Sequence, residues 1–577
     1  MIILTYARLT ECMKLFSQES LRKYLGENLI EQMITEWERR GPVTKKSLIE
    51  MIIQLNGIEI LKRSDFRKDV LLHLQEKEIE EIFDLIPSAK KKNCNSLDKK
   101  ASAIASLSWR SSDVNIKFLQ ILGVDSSVLV NQSETESVVI THQAGKRFYE
   151  LLDYQFIIKQ KVLSELNKKG ELKRMLVHMP TGTGKTKTTM HTLVNYYTFN
   201  LKKKGSVVWL AHTTELLQQA YDTFSDVWQN LGDGQITVYK LWGQRDSAKL
   251  GENINGILFC GIQKLQSIKK GNPELFENIS KNTKLIIFDE AHKAAASETR
   301  QLVEAFMQLP DTYEDRSLVG LTATPGRTTL SGEENELLSS MFENRLISID
   351  IQLLDRLNMS DDAYWNRKPE TNIIKYFQNR KILSKIVKEP LIYDSDFSDL
   401  DLQQIRVKMT ENGYEDYTKQ ALEIIGRNRN RNKAIMDKLR ELSSKQIPTI
   451  VFACSVAHAK LISFMLSLEN IPNALVLGEM NSIDRENAIA AFKDRESSVN
   501  ILINYEVLTT GFDSTNIRCV FITRPTQSIV LYSQMLGRGL RGPMMGGNEE
   551  CLLVDIEDNL GKYDADMAFE HFNSYWG

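Results

Sequence analysis

The chain is poor in the residues that staple a fold or span a membrane. It has 6 cysteines in 577 residues. They lie far apart, at Cys12, Cys94, Cys260, Cys454, Cys519 and Cys551, with no C-x-x-C pair. A disulfide framework or zinc ribbon needs closely spaced thiols, so these read as reduced groups of a cytoplasmic protein. No apolar run reaches about 18 residues, so no membrane-spanning helix is expected. The opening MIILTYARLTECMKLF lacks a basic region and a small-residue cleavage site, which argues against a secretory signal. An excess of one charge sign is also missing. With 73 Lys+Arg against 75 Asp+Glu, the net charge is −2, so any nucleic-acid surface must be local.

What is present is an ordinary globular balance, 42% hydrophobic and 26% charged, in a chain too long for one core. Residues 1–140 read as a helical accessory domain. Ile79, Ile82, Phe83 and Ile86 keep helix-face spacing up to Pro87. Leu48, Met51, Ile52 and Leu55 repeat it between Thr44, a candidate N-cap, and Gly57. Phe118, Leu119 and Leu122 do so before Gly123. This segment holds 20 Lys/Arg and 20 Asp/Glu. Its one basic stretch, AKKKNCNSLDKK, carries Lys90, Lys91, Lys92, Lys99 and Lys100; it reads first as a solvated loop, and second as a phosphate contact.

From about residue 145 the texture changes to short β-branched runs alternating with amphipathic stretches. Runs at 175–179, 206–212, 256–261, 284–290 and 317–323 predict one set of buried strands. Runs at 449–454, 473–478, 500–505, 519–524 and 551–556 predict a second. The fold class is therefore α/β, with two doubly wound parallel sheets at 145–350 and 431–577. Residues 351–430 are more polar and read as a helical connector or insertion.

PTGTGKT (Pro180 to Thr186) follows the strand MLVHM and precedes a helical pattern, the setting a phosphate-binding loop requires. Thr181, Gly182, Thr183 and Gly184 let backbone N–H groups close on phosphate. Lys185 reaches the outer phosphates, and the Thr186 hydroxyl can ligate Mg²⁺. Met179 stands where the strict pattern has glycine. FDEAH (Phe288 to His292) ends another strand, expected to neighbour the first. A pair of acids at a strand end can also be a helix cap. Paired with the phosphate loop, Asp289 reads as a second Mg²⁺ ligand and Glu290 as the base that activates water. In QMLGRGLRG (Gln534 to Gly542), Arg538 and Arg541 are three residues apart, on one face if helical. Arginines brought from a second lobe would stabilise charge on the γ-phosphoryl oxygens.

This ordered set resembles superfamily 2 helicases and translocases, with RecA-like domains. Tyr154-Gln155 is similar to the family's adenine-reading motif, PTGTGKT to motif I, AHTTELLQQ to motif Ia and GIQKL to motif Ib. DEAH matches motif II, LTATP motif III, VFACS motif IV, LTTGFD motif V and QMLGRGLR motif VI. The resemblance implies ATP as the nucleotide, read by Gln155, and Mg²⁺ as the metal. It implies that Gly511 and Asp513 contact nucleotide, and that His292, Thr322, Thr324 and Gln534 couple the nucleotide and nucleic-acid sites. Thr213, Thr214, Gln263 and Thr509 would lie on the nucleic-acid path. His292, H-T-T-E-L and T-A-T separate the chain from DEAD-box RNA helicases. The details, with the tail DIEDNLGKYDADMAFEHFNSYW, look most like restriction-enzyme subunits and their phage-defence relatives, favouring DNA over RNA. No P-D-x(n)-E-x-K nuclease pattern or His/Cys metal cluster is evident, so cutting would fall to a partner. Residues 1–140 could dock such a nuclease or effector. An RNA-stimulated ATPase and a nucleic-acid-sensing switch remain open alternatives.

Overall fold

The structure, a computed structural model, describes residues 7–25, 43–87, 91, 94–129, 138–144, 149–168, 173–243, 245, 247, 250, 254–295, 297–307, 316–325, 333–358, 370, 372–394, 397–406, 408–411, 414–480, 482–509, 511–512, 514–526 and 528–556. Among these no helix is long and apolar enough to cross a membrane.

The N-terminal region is helical, with a core of its own built from Leu21, Ile52, Phe66, Ile82 and Phe118 among others. Helix Lys45–Asn56 starts where expected: the Thr44 hydroxyl accepts from the Ser47 N–H at 3.2 Å, and Gly57 follows its end. Helix Asp113–Leu122 ends on Gly123, whose φ of 68° only glycine adopts easily. Of the basic stretch, Lys90 and Lys92 lie outside the described residues. Lys91 donates to the Asp84 carbonyl at 3.0 Å, and Lys100 pairs with Glu80. Both ammonium groups also sit over the Phe83 ring, at 5.5 and 5.4 Å. These lysines bind their own domain, which weakens the phosphate-contact reading.

The first lobe is one eight-stranded sheet: β1 (Val139–Gln143), β2 (Lys173–His178), β3 (Ser206–Ala211), β4 (Gln235–Leu241), β5 (Gly256–Gly261), β6 (Thr283–Asp289), β7 (Ser317–Thr322) and β8 (Leu346–Ser348). Their order is β1-β4-β5-β3-β6-β7-β2-β8. Helices cover both faces, so central strands such as β3, with Val207, Val208, Trp209 and Leu210, are apolar without alternation. The sheet is parallel except that β1 pairs antiparallel with β4. The expected neighbouring of the phosphate-loop strand and the DEAH strand needs correction: β7 lies between β2 and β6. It contributes Thr322 at the same sheet end.

The second lobe holds β9 (Lys385–Leu391), the hairpin β10 (Lys408–Glu411) and β11 (Tyr414–Tyr417), then β12 (Thr449–Phe452), β13 (Asn473–Val476), β14 (Ile501–Asn504), β15 (Cys519–Ile522) and β16 (Glu550–Ile556). Its sheet is wholly parallel, ordered β13-β14-β12-β15-β16-β9. The helical reading of 351–430 is therefore corrected. β9 is an edge strand paired with β16 over its whole length, and β10–β11 is a hairpin. β9 escaped notice because an edge strand buries little: KIVKEPL mixes exposed and half-buried residues without strict alternation, and Pro390 is tolerated only where one side lacks a partner. Helix Ile373–Asn379 of the same stretch buries Phe377 against Tyr154, with ring centroids 4.8 Å apart.

The N-terminal domain precedes the first lobe in sequence but packs on the second. Met51 and Leu55 join the core formed by Ile435, Leu439, Phe464 and Met465. Gln54 hydrogen-bonds Ser467, and Lys460 donates to Asn56 Oδ1 at 3.3 Å. Placing carboxylates at Met51 and Leu55 would bury charge without a partner. The double variant Met51→Asp, Leu55→Asp should release the domain, raising the radius of gyration in X-ray scattering while circular dichroism keeps its helical signal. An unchanged radius would mean the domain is held elsewhere.

Candidate nucleotide cleft between the lobes

Three strand ends of the first lobe build one wall of a cleft of about 300 Å³, at the small end of ligand sites. After β2, the chain turns through Gly182 and Gly184, with φ of 85° and 80°, into helix Lys185–Asn195. Only glycine takes this conformation freely, and it aims successive N–H groups into the turn. Thr183 Oγ1 closes the turn on the Pro180 carbonyl at 2.7 Å, and Met179 donates to Thr322 at 3.1 Å. The side chain of Met179 is buried in the sheet core. The missing first glycine thus leaves the turn intact.

After β6, Asp289 and Glu290 enter the cleft, both buried. Glu290 has a φ of 53°, a left-handed conformation that side chains resist and active sites tolerate. Lys185 Nζ lies 3.6 Å from Glu290 Oε1. Burial pushes both carboxyls up. For Asp289 burial wins over the pull of Lys185, so its pKa is raised. For Glu290 the combined field of Lys185, His292, Lys293 and Arg538 outweighs burial and holds it ionised. Asp289 accepts the Glu290 N–H at 3.0 Å, and among the described residues no cation pairs with it. A buried carboxyl in that state fits a divalent cation, and the Thr186 hydroxyl lines the same cleft.

The opposite wall comes from the second lobe. Gly511, Phe512, Gly537, Arg538, Arg541 and Met545 line it. Here the reading of the arginines needs correction. Helix Ile529–Leu536 ends before them. Arg538 follows in a turn, and Arg541 forms an isolated bridge with Leu383, so they share a cleft and not a helix face. The glycines of this turn are closely packed. A Cβ on Gly537 would lie 2.6 Å from Thr181 Cγ2, and one on Gly539 would lie 2.3 Å from Cys551 Sγ. Arg538 is aimed by its own bonds to the carbonyls of Gln534, at 3.2 Å, and Phe512.

A polar chain joins the lobes. Gln534 Nε2 is 3.5 Å from His292 Nε2. His292 Nδ1 is 3.3 Å from Glu290 Oε2 and 3.2 Å from Thr322 Oγ1. With Gln534 donating, the ring proton sits on Nδ1, facing Glu290 and Thr322. Thr322 Oγ1 then donates to the Thr324 carbonyl at 2.6 Å. Gly511, with φ of 71°, presses on the helix after β3: a Cβ there would be 3.0 Å from Leu216 N. Arg485 pairs with Glu215 across the same gap.

Other predicted residues fall outside the cleft. Tyr154 and Gln155 are buried behind the phosphate loop, both bonded to the Thr183 carbonyl, at 2.7 and 2.9 Å. Thr213 caps helix Thr214–Leu231, accepting from Leu216 N at 3.3 Å, while Thr214 and Gln263 are exposed at helix starts. Thr509 is buried, its hydroxyl donating to the Glu506 carbonyl at 2.6 Å. Asp513 lies outside the described residues. Sequence reading missed Tyr149, Lys187 and Met545, which also line the cleft. Only the Lys187/His191 spacing, one helical turn, hinted at a shared face.

Two family models match: "Type III restriction enzyme, res subunit" over residues 148–327 and "Helicase conserved C-terminal domain" over residues 430–542. A Saccharomyces cerevisiae protein named as the ATP-dependent helicase IRC3 is 26% identical over 394 residues, covering 67% of this chain and 48% of that protein. The type I restriction enzyme EcoKI endonuclease subunit of Escherichia coli is 24% identical over 405 residues, covering 65% and 32%. The chain spans about half the length of the curated relatives it matches. Among solved structures, a fragment of an HsdR subunit of a type I restriction enzyme from Vibrio vulnificus aligns with TM-score 0.46 and 20% identity, covering 79% of this chain and 72% of that one. Dbp5 of Saccharomyces cerevisiae bound to RNA and ADP BeF3 aligns with TM-score 0.44 and 15% identity, covering 73% and 87%.

The crowding at Gly539 is testable. Gly539→Ala must shift Cys551 or the turn itself, and overpacking of this kind destabilises by about 1–3 kcal/mol. Urea denaturation should show that loss. A variant as stable as the parent would mean the turn has room to spare.

Proposed function

The chain belongs to superfamily 2 of the helicases, and on that premise we propose that it is an ATP-driven DNA helicase or translocase of a restriction or phage-defence system. The observation that supports this best is the composition of the cleft. One lobe brings a phosphate loop and two acids, and the other brings two arginines. Neither lobe has a complete site for phosphoryl transfer, so hydrolysis requires the lobes to meet, and relative lobe motion is what a motor needs.

Within this reading the roles divide by geometry. The turn Thr181–Gly184 and Lys185 hold the phosphates. Asp289 and Thr186 would hold Mg²⁺, which would supply charge neutralisation. Glu290 takes a proton from the attacking water, kept ionised for it by the surrounding cations. Arg538 and Arg541 stabilise the charge that spreads onto the transferred group. His292, Thr322 and Thr324 relay the state of Glu290 towards Gln534. The exposed residues Thr214 and Gln263 offer first-lobe contacts to a phosphate backbone, sequence-independent and salt-sensitive. Cleavage of DNA is left to a partner nuclease.

A second reading, a nucleic-acid-sensing ATPase that signals to an effector, is favoured by one observation. The N-terminal domain rides on the second lobe, through Met51 and Leu55, and would move with each closure. Strand displacement separates the two, since a switch hydrolyses ATP on nucleic acid without unwinding it.

The test is ATP hydrolysis with single-stranded DNA, duplex DNA and RNA in parallel. DNA should stimulate more than RNA; the reverse order would replace the DNA reading with the RNA one. Glu290→Gln should bind ATP normally and lose turnover. Arg538→Ala should lower kcat by at least about 10³ with a smaller change in ATP affinity. A loss seen only in KM would remove the transition-state role.

A further inference from the structure

The chain that connects the lobes is tied to the phosphate loop at one end. Helix Ile373–Asn379 packs on the first lobe, where Phe377 meets Tyr154. The Tyr154 hydroxyl donates in turn to the Thr183 carbonyl of the loop, at 2.7 Å. Just past the helix, Arg380 pairs with Asp153 at 2.8 Å and donates to the Tyr376 hydroxyl at 3.2 Å. Asp153 also accepts from Asn358 Nδ2 at 2.7 Å. Lys381 then turns the chain with a φ of 57°. The N–H groups of Ile382 and Leu383 donate back to the Phe377 carbonyl, at 2.9 and 3.2 Å. The exit of the connector is thereby fixed relative to its helix, and the helix relative to the phosphate loop.

At its other end the connector is bonded to the arginine turn. Leu383 bridges Arg541: the Ser384 N–H donates to the Leu540 carbonyl at 3.0 Å, and the Gly542 N–H donates to the Ile382 carbonyl at 2.9 Å. The strands run so close that a Cβ on Gly542 would lie 2.3 Å from the Lys381 carbonyl oxygen. The Ser384 side chain adds a second tie. Its Oγ lies 2.5 Å from the Arg541 carbonyl and 2.7 Å from that of Asn548, the two ends of a loop that presents Met545 to the cleft. The Asn548 N–H closes that loop on the Arg541 carbonyl at 2.9 Å. Ser384 is 0% exposed, so its hydroxyl is satisfied by these carbonyls, and it does not itself line the cleft. Arg538 is held differently, by the Gln534 and Phe512 carbonyls within the second lobe.

We propose that the connector positions Arg541 against the phosphate loop, and that Ser384 is the positioning residue. This rests on the reading of the cleft as a phosphoryl-transfer site in which Arg541 stabilises the transferred charge. A long side chain is only as well placed as its backbone, and a misplacement of about 1 Å can cost about 10² in rate. The backbone of Arg541 lies past the end of helix Ile529–Leu536, so the connector supplies the bonds that the helix does not. The connector is itself anchored on the first lobe, through Phe377 and Arg380. Arg541 is therefore held in register with the lobe that carries the phosphates, and Arg538 with the lobe that closes on them. The two arginines have separate supports.

The experiment is a double-mutant cycle on the full chain, read by single-turnover ATP hydrolysis with Mg²⁺, with and without single-stranded DNA. Chain in excess over labelled ATP keeps losses of about 10³–10⁵ measurable. Calorimetry gives the ATP affinity of each variant. Ser384→Ala should slow hydrolysis roughly 10- to 100-fold and leave ATP affinity unchanged. Ser384→Cys, which keeps a weak donor in nearly the same volume, should fall between Ser384→Ala and the parent. On top of Arg541→Ala, Ser384→Ala should cost nothing further, because the group it positions is gone; on top of Arg538→Ala its cost should be undiminished. Arg380→Gln, which cuts the tie to Asp153, should also slow the parent and cost nothing in Arg541→Ala. A general loss of packing would slow both backgrounds alike. Three results would overturn the proposal: hydrolysis by Ser384→Ala at the parent rate, a cost of Ser384→Ala or Arg380→Gln that persists in Arg541→Ala, or an ATP affinity that falls as much as the rate. The last would assign Ser384 to holding the nucleotide. Failure of the underlying reading looks different, because Arg541→Ala would then itself hydrolyse ATP at the parent rate.

Discussion

Everything in the cleft depends on how closely the turn after helix Ile529–Leu536 approaches the phosphate loop. Gly537 has no room for a Cβ beside Thr181, and Gly539 has none beside Cys551. Gly182, on the other side, faces Leu383 and the Leu540 carbonyl. Gly537 thus lets the two backbones meet where a side chain would hold them apart, while Gly539 seats the turn within its own lobe. Across that approach Arg538 acts on Glu290, and Arg541 lines the same cleft. Close packing makes such a contact all-or-none, since a gap of even a methyl group changes which atoms touch. Two states, met and parted, are what a cycle of binding and hydrolysis can drive.

Electrostatics gives the met state its sign. Asp289 and Glu290 are adjacent, buried and alike, and their repulsion is relieved by nearby cations and by the raised pKa of Asp289. Lys185 comes from the same lobe and Arg538 from the other. The second lobe therefore stabilises the charged form of Glu290 from across the gap. His292 ties the same carboxylate to Gln534. Polar links between lobes are satisfied when they meet and left to water when they part, so on the proposed function nucleotide binding and lobe arrangement bias each other.

Much of this was legible beforehand, for reasons that differ by element. Buried parallel strands announce themselves as unbroken apolar runs, and the ten predicted runs coincide with β2, β3, β5, β6, β7 and β12–β16. Thr44 and Gly123 mark helix ends by local chemistry. The motifs exposed the two acids and the loop because phosphate chemistry needs those types at those spacings. The edge strands β1, β8 and β9 were not legible, because they bury one side at most and carry mixed patterns. The arginines' setting was misread because spacing alone suggests a helix, whereas helix Ile529–Leu536 ends before them. Tyr149 was missed because its partners, Lys187 and His191, lie some 40 residues on. The docking of the N-terminal domain on the second lobe reverses sequence adjacency, which no local pattern encodes.

The central claim is that the lobes act through their junction, and Gln534 is the side chain that joins the second lobe to the DEAH histidine. The most direct measurement is ATP hydrolysis by Gln534→Ala, with and without single-stranded DNA, alongside its ATP affinity. The account predicts unchanged ATP binding and a stimulation by DNA that falls to near unity, because lobe position no longer reaches His292 and Glu290. Full stimulation in that variant would contradict it.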